Sequence, residues 1–421
     1  MWYHIFILLN FAKLFPILKG PLIMAKIAIL GFGTVGSGVA EVITQNNNII
    51  TKKLGESLDI KYILDLRDFP GSPFENLVIH DFNIILNDPE ISIVAEMMGG
   101  SHPAYDFSKA CLEAGKSVVT SNKEVVAKFG AELLETAKAN GVSYLFEASV
   151  GGGIPIIRPM CNDLSSNNLC EVSGILNGTT NFILTKMDKE GAEFSDVLKE
   201  AQKLGYAEAN PTADVEGIDA ARKIVILAAL SFGKLASPDS IHTEGITKIS
   251  KTAVEVAKKL GYSVKLIGHT RSLDGKMLCM VSPRLIPSYN PLSSIDGVFN
   301  GILVSGDMVG QVMFYGPGAG KLPTASAVCA DIVDIAAHKG NIKLPSFVVA
   351  NQSDMADFNS YTCDRLFILK NDSALSRFGD IQTTVREGDY TCIIVKQMSE
   401  AEASALISDE SAGVCESVRL L

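Results

Sequence analysis

Two stretches of this chain hold side chains that can move a proton. The segment Gly205-Tyr206-Ala207-Glu208-Ala209-Asn210-Pro211-Thr212-Ala213-Asp214 runs into Val215-Glu216-Gly217-Ile218-Asp219-Ala220-Ala221-Arg222-Lys223. Four carboxylates, Glu208, Asp214, Glu216 and Asp219, precede one Arg-Lys pair. On a helix Asp219 and Lys223 share a face. Facing water, such a pair contributes only about 0.3–0.5 kcal/mol and does no chemistry. The run Ile224–Leu230 is apolar on every side, however, so the helix enters a core with its charges at the mouth. Beside a loop rich in Gly, Asn and Pro, that placement favours a site over surface decoration. The second stretch is Thr120-Ser121-Asn122-Lys123, just past an apolar strand. A surface lysine is the commonest fate of that residue. Two lysines near one reacting carbon would depress each other's pKa, and partial desolvation pushes the same way. One of them then becomes a proton acceptor near neutral pH.

The elements that would position these groups begin with Ala25–Gly36 (A-K-I-A-I-L-G-F-G-T-V-G), which has the form of a dinucleotide cradle. A short apolar strand enters Gly31-x-Gly33-x-x-Gly36, and a helical pattern follows from Val35. Gly31 permits the tight turn, Gly33 lets backbone approach a pyrophosphate, and Gly36 lets helix and strand pack closely. The phosphates would meet the unpaired N–H groups of the helix start. The pattern predicts bound NAD or NADP. Asp65, ending the second strand, could accept a ribose 2′-OH, whereas Arg67 could meet a 2′-phosphate; the reading here favours NADP.

Strands expected at Ile60–Leu64, Ile91–Met98, Lys116–Thr120 and Val142–Phe146 alternate with helices Ala104–Ala114 and Lys128–Ala139. That alternation predicts a parallel sheet covered on both faces, with ligands at the carboxyl ends of its strands. Gly99-Gly100, Ser121-Asn122-Lys123 and Glu147 onward would then open on one crevice. The fold class is α/β: a Rossmann-type domain over 24–150, then an α+β catalytic and dimerisation domain over 151–320. A helix within 321–345 is expected to return to the first domain, and 350–421 reads as a separate β-rich module. Residues Ile175–Asn181 place amide, hydroxyl and glycine on one turn, able to cap the following helix or to bind a polar substrate.

The 421 residues carry a formal net charge of −10, which argues against a nucleic-acid partner. Eight cysteines include no Cys-x-x-Cys, so neither a zinc site nor a disulfide framework is expected, and reduced thiols fit a cytoplasmic protein. Residues 1–23 are apolar but broken by Lys13, Pro16 and Lys19, too short a stretch to span a bilayer. They read as an extension outside the fold, with Met24 as the expected start and no membrane partner.

Four blocks in order resemble homoserine dehydrogenase: Gly31–Gly36, Lys116–Lys123, Gly174–Asn181 and Gly205–Lys223. The resemblance runs from about Met24 to about Pro345 and implies interconversion of L-homoserine and L-aspartate 4-semialdehyde in threonine and methionine synthesis. It implies that Lys223 is the proton donor and acceptor, with Lys123 its partner at cofactor and substrate hydroxyl. Glu208 would receive the substrate ammonium, with Asp214, Asp219, Thr179 and Gly205 lining that pocket. Phe32, Thr34, Val35 and Gly318 would contact the dinucleotide, beside Gly31, Gly33, Gly36 and Arg67. A sodium ion would sit at Glu147, Val150, Gly152 and Ile154, chiefly on main-chain oxygens. A homodimer through the second domain is also implied.

The tail resembles a trimmed ACT-like βαββαβ module. It shows strand Arg365–Lys370, a stretch Ala374–Gly379 too short for the first helix, and a hairpin about Gly388-Asp389. Helix Ser399–Ser408 and strand Val414–Leu420 complete it. Asn371-Asp372-Ser373 stands where the module's Asp-x-Pro-Gly is expected. Two rival readings are a dehydrogenase for another amino-acid-linked substrate and a non-catalytic NADP-binding sensor. An acyl-enzyme route would need a cysteine nucleophile. Cys161 and Cys170 lack a strand–turn–helix setting for that role.

Overall fold

A computed structural model describes residues 25–340, 342 and 344–421; the expectations for 1–23 and for a start at Met24 lie outside them. The apolar run before the glycines forms β1 (Ala25–Leu30), and α1 (Thr34–Gln45) follows at once. Further strands are β2 (Leu58–Leu64), β3 (Val78–Ile79), β4 (Ile91–Glu96), β5 (Ser117–Thr120) and β6 (Tyr144–Leu145). They form a six-stranded sheet, all pairs parallel, in the order β3-β2-β1-β4-β5-β6. This is the doubly wound order with its switch point between β1 and β4, where a crevice opens at the strand ends. Helix α2 (Ala104–Glu113) buries Ala104, Cys111 and Leu112 against one face. Helix α3 begins at Lys123 and runs to Ala139, five residues ahead of the expected start at Lys128. Asn122 explains the earlier start, since its side chain accepts from the N–H groups of Glu124 and Val125 and caps the helix. Lys123 is therefore the first residue of a helix rather than a loop residue.

After the turn at 147–154 come α4 (Ile157–Cys161), β7 (Leu169–Ile175), α5 (Gly178–Glu190), the short α6 (Thr212–Val215) and α7 (Ile218–Phe232). Helix α7 buries Ile224 to Ala229 without a break, as its all-round apolar sequence requires. Two long hairpins follow, β8 (Tyr262–Leu273) with β9 (Lys276–Pro287), and β10 (Phe299–Gly306) with β11 (Gly310–Pro317). Helix α8 (Lys321–Ala337) returns to the nucleotide domain, where Ala325, Val328 and Ile332 share a core with Ile29, Val39 and Ile43. Gly38 makes that approach possible, because a Cβ there would stand 2.9 Å from the Lys321 carbonyl.

The tail contains β12 (Thr362–Leu369), β13 (Ile381–Glu387), β14 (Tyr390–Ser399), α9 (Glu400–Ser408) and β15 (Val414–Leu420). Only a 3₁₀ turn, Leu375–Arg377, replaces the first helix, as the short stretch there predicts. Its strands lie in the order β15-β12-β14-β13 with antiparallel pairs, a βαββαβ-type 4-1-3-2 arrangement. The tail has a core of its own around Phe367, Phe378 and Ile393 and is also joined to the catalytic domain. β15 pairs in parallel with β9 at Arg284–Arg419 and Leu285–Leu420, so tail and catalytic domain share one ten-stranded sheet. No helix among the described residues is long and apolar enough to cross a membrane.

Candidate active site

The glycine loop behaves as its three positions require. Gly31 has φ +89°, a left-handed turn that glycine adopts without cost. A Cβ on Gly36 would lie 2.0 Å from the Gly31 carbonyl oxygen, so nothing larger fits between helix and strand. Around Gly33 the space is open to 4 Å, and Gly33 and Thr34 are exposed. Helix α1 has no side-chain cap, which leaves its first N–H groups available to an anion. Val35 is half-buried beside them. Phe32 is buried, its ring edge-on to Phe69 and Phe74, and its N–H donates to Asp65 Oδ2 at 2.8 Å.

Asp65 and Arg67, the two alternative readers of the ribose, are bonded to each other. Arg67 Nε and its backbone N–H each donate to Asp65 Oδ1 at 3.0 Å. Those bonds, with the Phe32 N–H, outweigh burial and bring the Asp65 carboxyl down to about 2. The guanidinium remains exposed and lies over the Phe69 ring, 5.1 Å from its centre.

The proton-moving residues converge at the mouth of α7. Gly217, at φ +81°, turns the chain into that helix and places Asp219 in its first turn. Lys223 Nζ donates to Asp219 Oδ2 at 2.8 Å and to the Leu176 carbonyl at 2.7 Å. Lys123 reaches the other oxygen, Asp219 Oδ1, at 2.6 Å. Asn177 caps α5 through Oδ1, while its amide donates to Asp219 Oδ2 at 2.9 Å and to Asp214 Oδ1 at 2.7 Å. The amide bridge between the two acids is invisible in the sequence, where Asn177 reads only as a cap or a substrate contact.

Burial alone would raise the Asp219 carboxyl, but the charges of Lys223 and Lys123 hold it well below the usual carboxylate range. Lys223 is buried, and desolvation followed by the Lys123 charge pulls its pKa below that of an ordinary lysine, against the attraction of Asp219. Asp214 is displaced upward, first by burial and then by the negative charge of Asp219, with the Asn177 hydrogen bond opposing. Lys123 is more open, with 38% of its side chain exposed, so the pair has a buried and a solvent-facing member.

Thr179 is buried at the start of α5 and donates to the Tyr206 carbonyl at 2.6 Å, pinning the 205–210 loop beside the site. Gly205 and Glu208 lie exposed on that loop. Both lysines pair with Asp219 rather than Glu208, whose carbonyl accepts from Gln202 at 3.1 Å.

At the domain boundary the buried Glu147 spends both carboxylate oxygens on the N–H groups of Ile156, Ile157 and Arg158, at 2.6 to 2.8 Å. Val150, Gly152 and Ile154 are buried in the same turn, and Gly152 packs on Gly318, whose carbonyl a Cβ would meet at 2.4 Å. Gly318 is buried there, with Asn300 against it. Glu96, at the end of β4, accepts from the Thr120 hydroxyl and the Met98 N–H, both at 2.7 Å. Thr120 in turn accepts from the Asn122 N–H, so this buried acid braces the turn that carries Lys123. A glutamate ending an otherwise apolar strand was the available signal for it.

Comparison with known proteins agrees with this architecture. The family model for the homoserine dehydrogenase NAD binding domain matches residues 31–147, and the homoserine dehydrogenase model matches 155–333. The homoserine dehydrogenase of Bacillus subtilis is 41% identical over 78% of this chain and 80% of its own. The crystal structure of a homoserine dehydrogenase from Thiobacillus denitrificans superposes with a TM-score of 0.85 at 36% identity, over 94% of this chain and 98% of that one. A hyperthermophilic archaeal homoserine dehydrogenase mutant in complex with NADPH gives a TM-score of 0.65 at 30% identity, over 77% of this chain and all of that one. The chain belongs to the homoserine dehydrogenase family.

Proposed function

We propose that the protein is an oxidoreductase that interconverts L-homoserine and L-aspartate 4-semialdehyde, using NADP in preference to NAD. The observation that carries the mechanism is the shared carboxylate: two amines, one buried and one open, stand on opposite oxygens of Asp219. When bound, the nicotinamide supplies or accepts the hydride. In the oxidative direction Lys223 Nζ, neutral, takes the hydroxyl proton of the substrate; in reduction its ammonium returns it. Lys123 polarises the same oxygen from the open side of the crevice. Asp219 and the Leu176 carbonyl hold the Lys223 amine in place. Glu208, exposed on the loop beside the site, receives the substrate ammonium, and Thr179 keeps that loop against the site.

The exposed guanidinium of Arg67 supports NADP, since it offers free donors for a 2′-phosphate while neutralising Asp65. The 147–154 turn suits a sodium ion held by main-chain oxygens of Glu147, Val150, Gly152 and Ile154. The Glu147 side chain is already committed, and the turn is tight enough that a Cβ on Gly151 would meet the Ile154 carbonyl at 2.7 Å. Such an ion would fix the junction between the domains. Stacked Phe299 and Tyr315, exposed on the β10–β11 hairpin with Met313, support homodimerisation through the second domain. The 4-1-3-2 strand order supports a trimmed ACT-like tail.

Initial rates with L-homoserine and either NADP or NAD test the proposal. Oxidation with NADP preferred is expected, and Arg67→Ala should reduce that preference by about tenfold or more. No reduction of either nucleotide by homoserine would exclude the assignment.

A further inference from the structure

The C-terminal strand grips the chain beside the catalytic turn. Arg419, on β15, donates to Glu244 Oε2 at 2.7 Å and to Glu244 Oε1 at 2.8 Å. Its other face is held by Glu400 of the tail, at 2.7 and 2.8 Å. The segment that follows Glu244 lies against the turn carrying both site acids. Ile246 N–H donates to the Val215 carbonyl at 2.8 Å, and Thr247 Oγ1 to Glu216 Oε1 at 3.1 Å. A Cβ on Gly245 would meet the Val215 carbonyl at 2.1 Å, and one on Gly217 would meet the Glu244 carbonyl at 3.3 Å. Backbone thus touches backbone from Glu244 to Gly217, two residues before Asp219. On the other side, the Glu244 N–H donates to the Val281 carbonyl of β9 at 2.8 Å, so the segment is clamped against the shared sheet.

We infer that Glu244 and Arg419 are positioning residues, through which the tail sets the 214–219 turn and hence the placement of Asp219 between its two lysines. This rests on the proposed roles of those lysines. The packing gives the reason: the interlocked backbone between 243 and 247 and between 215 and 217 has no slack, so a shift at Glu244 is passed to Gly217. The tail has other anchors that bypass this turn, Ser250 on Glu416 and Lys259 on Glu387. They distinguish transmission through Glu244 from general docking of the tail.

The test compares full-length Glu244→Gln, Arg419→Lys and their double variant with a Ser250→Ala/Lys259→Met control. Glu244→Gln keeps an amide oxygen for Arg419 but leaves that arginine sharing Glu400 with Arg365, so a thermal melt of each variant checks that the chain is folded before kcat is compared. The expected result is a kcat lowered by about two- to thirtyfold in the single variants. The double variant should be no worse than the poorer single, KM for the nucleotide should stay within about twofold, and the control should match the parent. Undiminished kcat in a folded Glu244→Gln enzyme would overturn the inference, as would an equal loss in the control. Lys223→Ala, run alongside, separates the two readings: full turnover there would defeat the site assignment itself.

Discussion

Lys123 and Lys223 come from different domains, yet their ammonium groups lie at 2.6 and 2.8 Å from opposite oxygens of one carboxylate. The start of α3 supplies the first amine and the second turn of α7 the other. The carboxylate offsets the repulsion between two like charges, while burial first and the Lys123 charge second leave the buried amine easier to deprotonate than a free lysine.

Removing the Lys123 charge should therefore raise the pKa of Lys223. In the oxidative direction the neutral amine is the active form, so kcat rises with pH through that pKa. In Lys123→Met, the residual activity is expected to rise at higher pH than in the parent. A kcat–pH profile checks this; a limb unmoved or moved to lower pH would contradict the coupling.

The glycine loop predicts two different failures. Gly33→Ala places its Cβ in open space at φ −77°, so the protein should melt at the parent temperature but bind NADPH more weakly. Gly36→Ala forces a Cβ to 2.0 Å from a carbonyl oxygen and should cost about 1–3 kcal/mol of stability. Thermal melts paired with fluorescence titration of NADPH separate the two effects. Equal loss of stability in both variants would argue against a ligand-facing Gly33.

Burial pushes the Glu96 carboxyl up to about 7, against the hydrogen bonds from Thr120 and the Met98 N–H. Between the ordinary glutamate value of 4.5 and about 7, the folded chain holds a proton that the unfolded chain has released. Stability therefore falls as pH rises across that window. Glu96→Gln, which cannot ionise, should flatten the slope of the urea midpoint from about pH 5 to 7. A slope as steep as the parent's would assign the pH dependence to other groups.

Much of this arrangement is legible in the sequence because local pattern carries it. The apolar runs of β1 and β5 give way to a glycine and to small polar residues, β4 ends on Glu96, and Asp219 and Lys223 announce a shared face by their spacing. Long-range pairing carries the rest. Strands β8 and β9 bury both faces, including Lys265, His269 and Arg284, so no alternation marks them. The join of tail to catalytic domain depends on Leu285 meeting Leu420, which no local window contains. Asn177 shows the same limit within the site. Its capping role follows from the next helix, but its amide bridge depends on α7 folding back over it.

The most direct test of the proton-transfer assignment is the turnover of Lys223→Ala on L-homoserine, with NADPH binding measured on the same preparation. Nucleotide affinity close to that of the parent, with kcat lower by at least about a hundredfold, is the predicted result. A kcat equal to the parent's would contradict it.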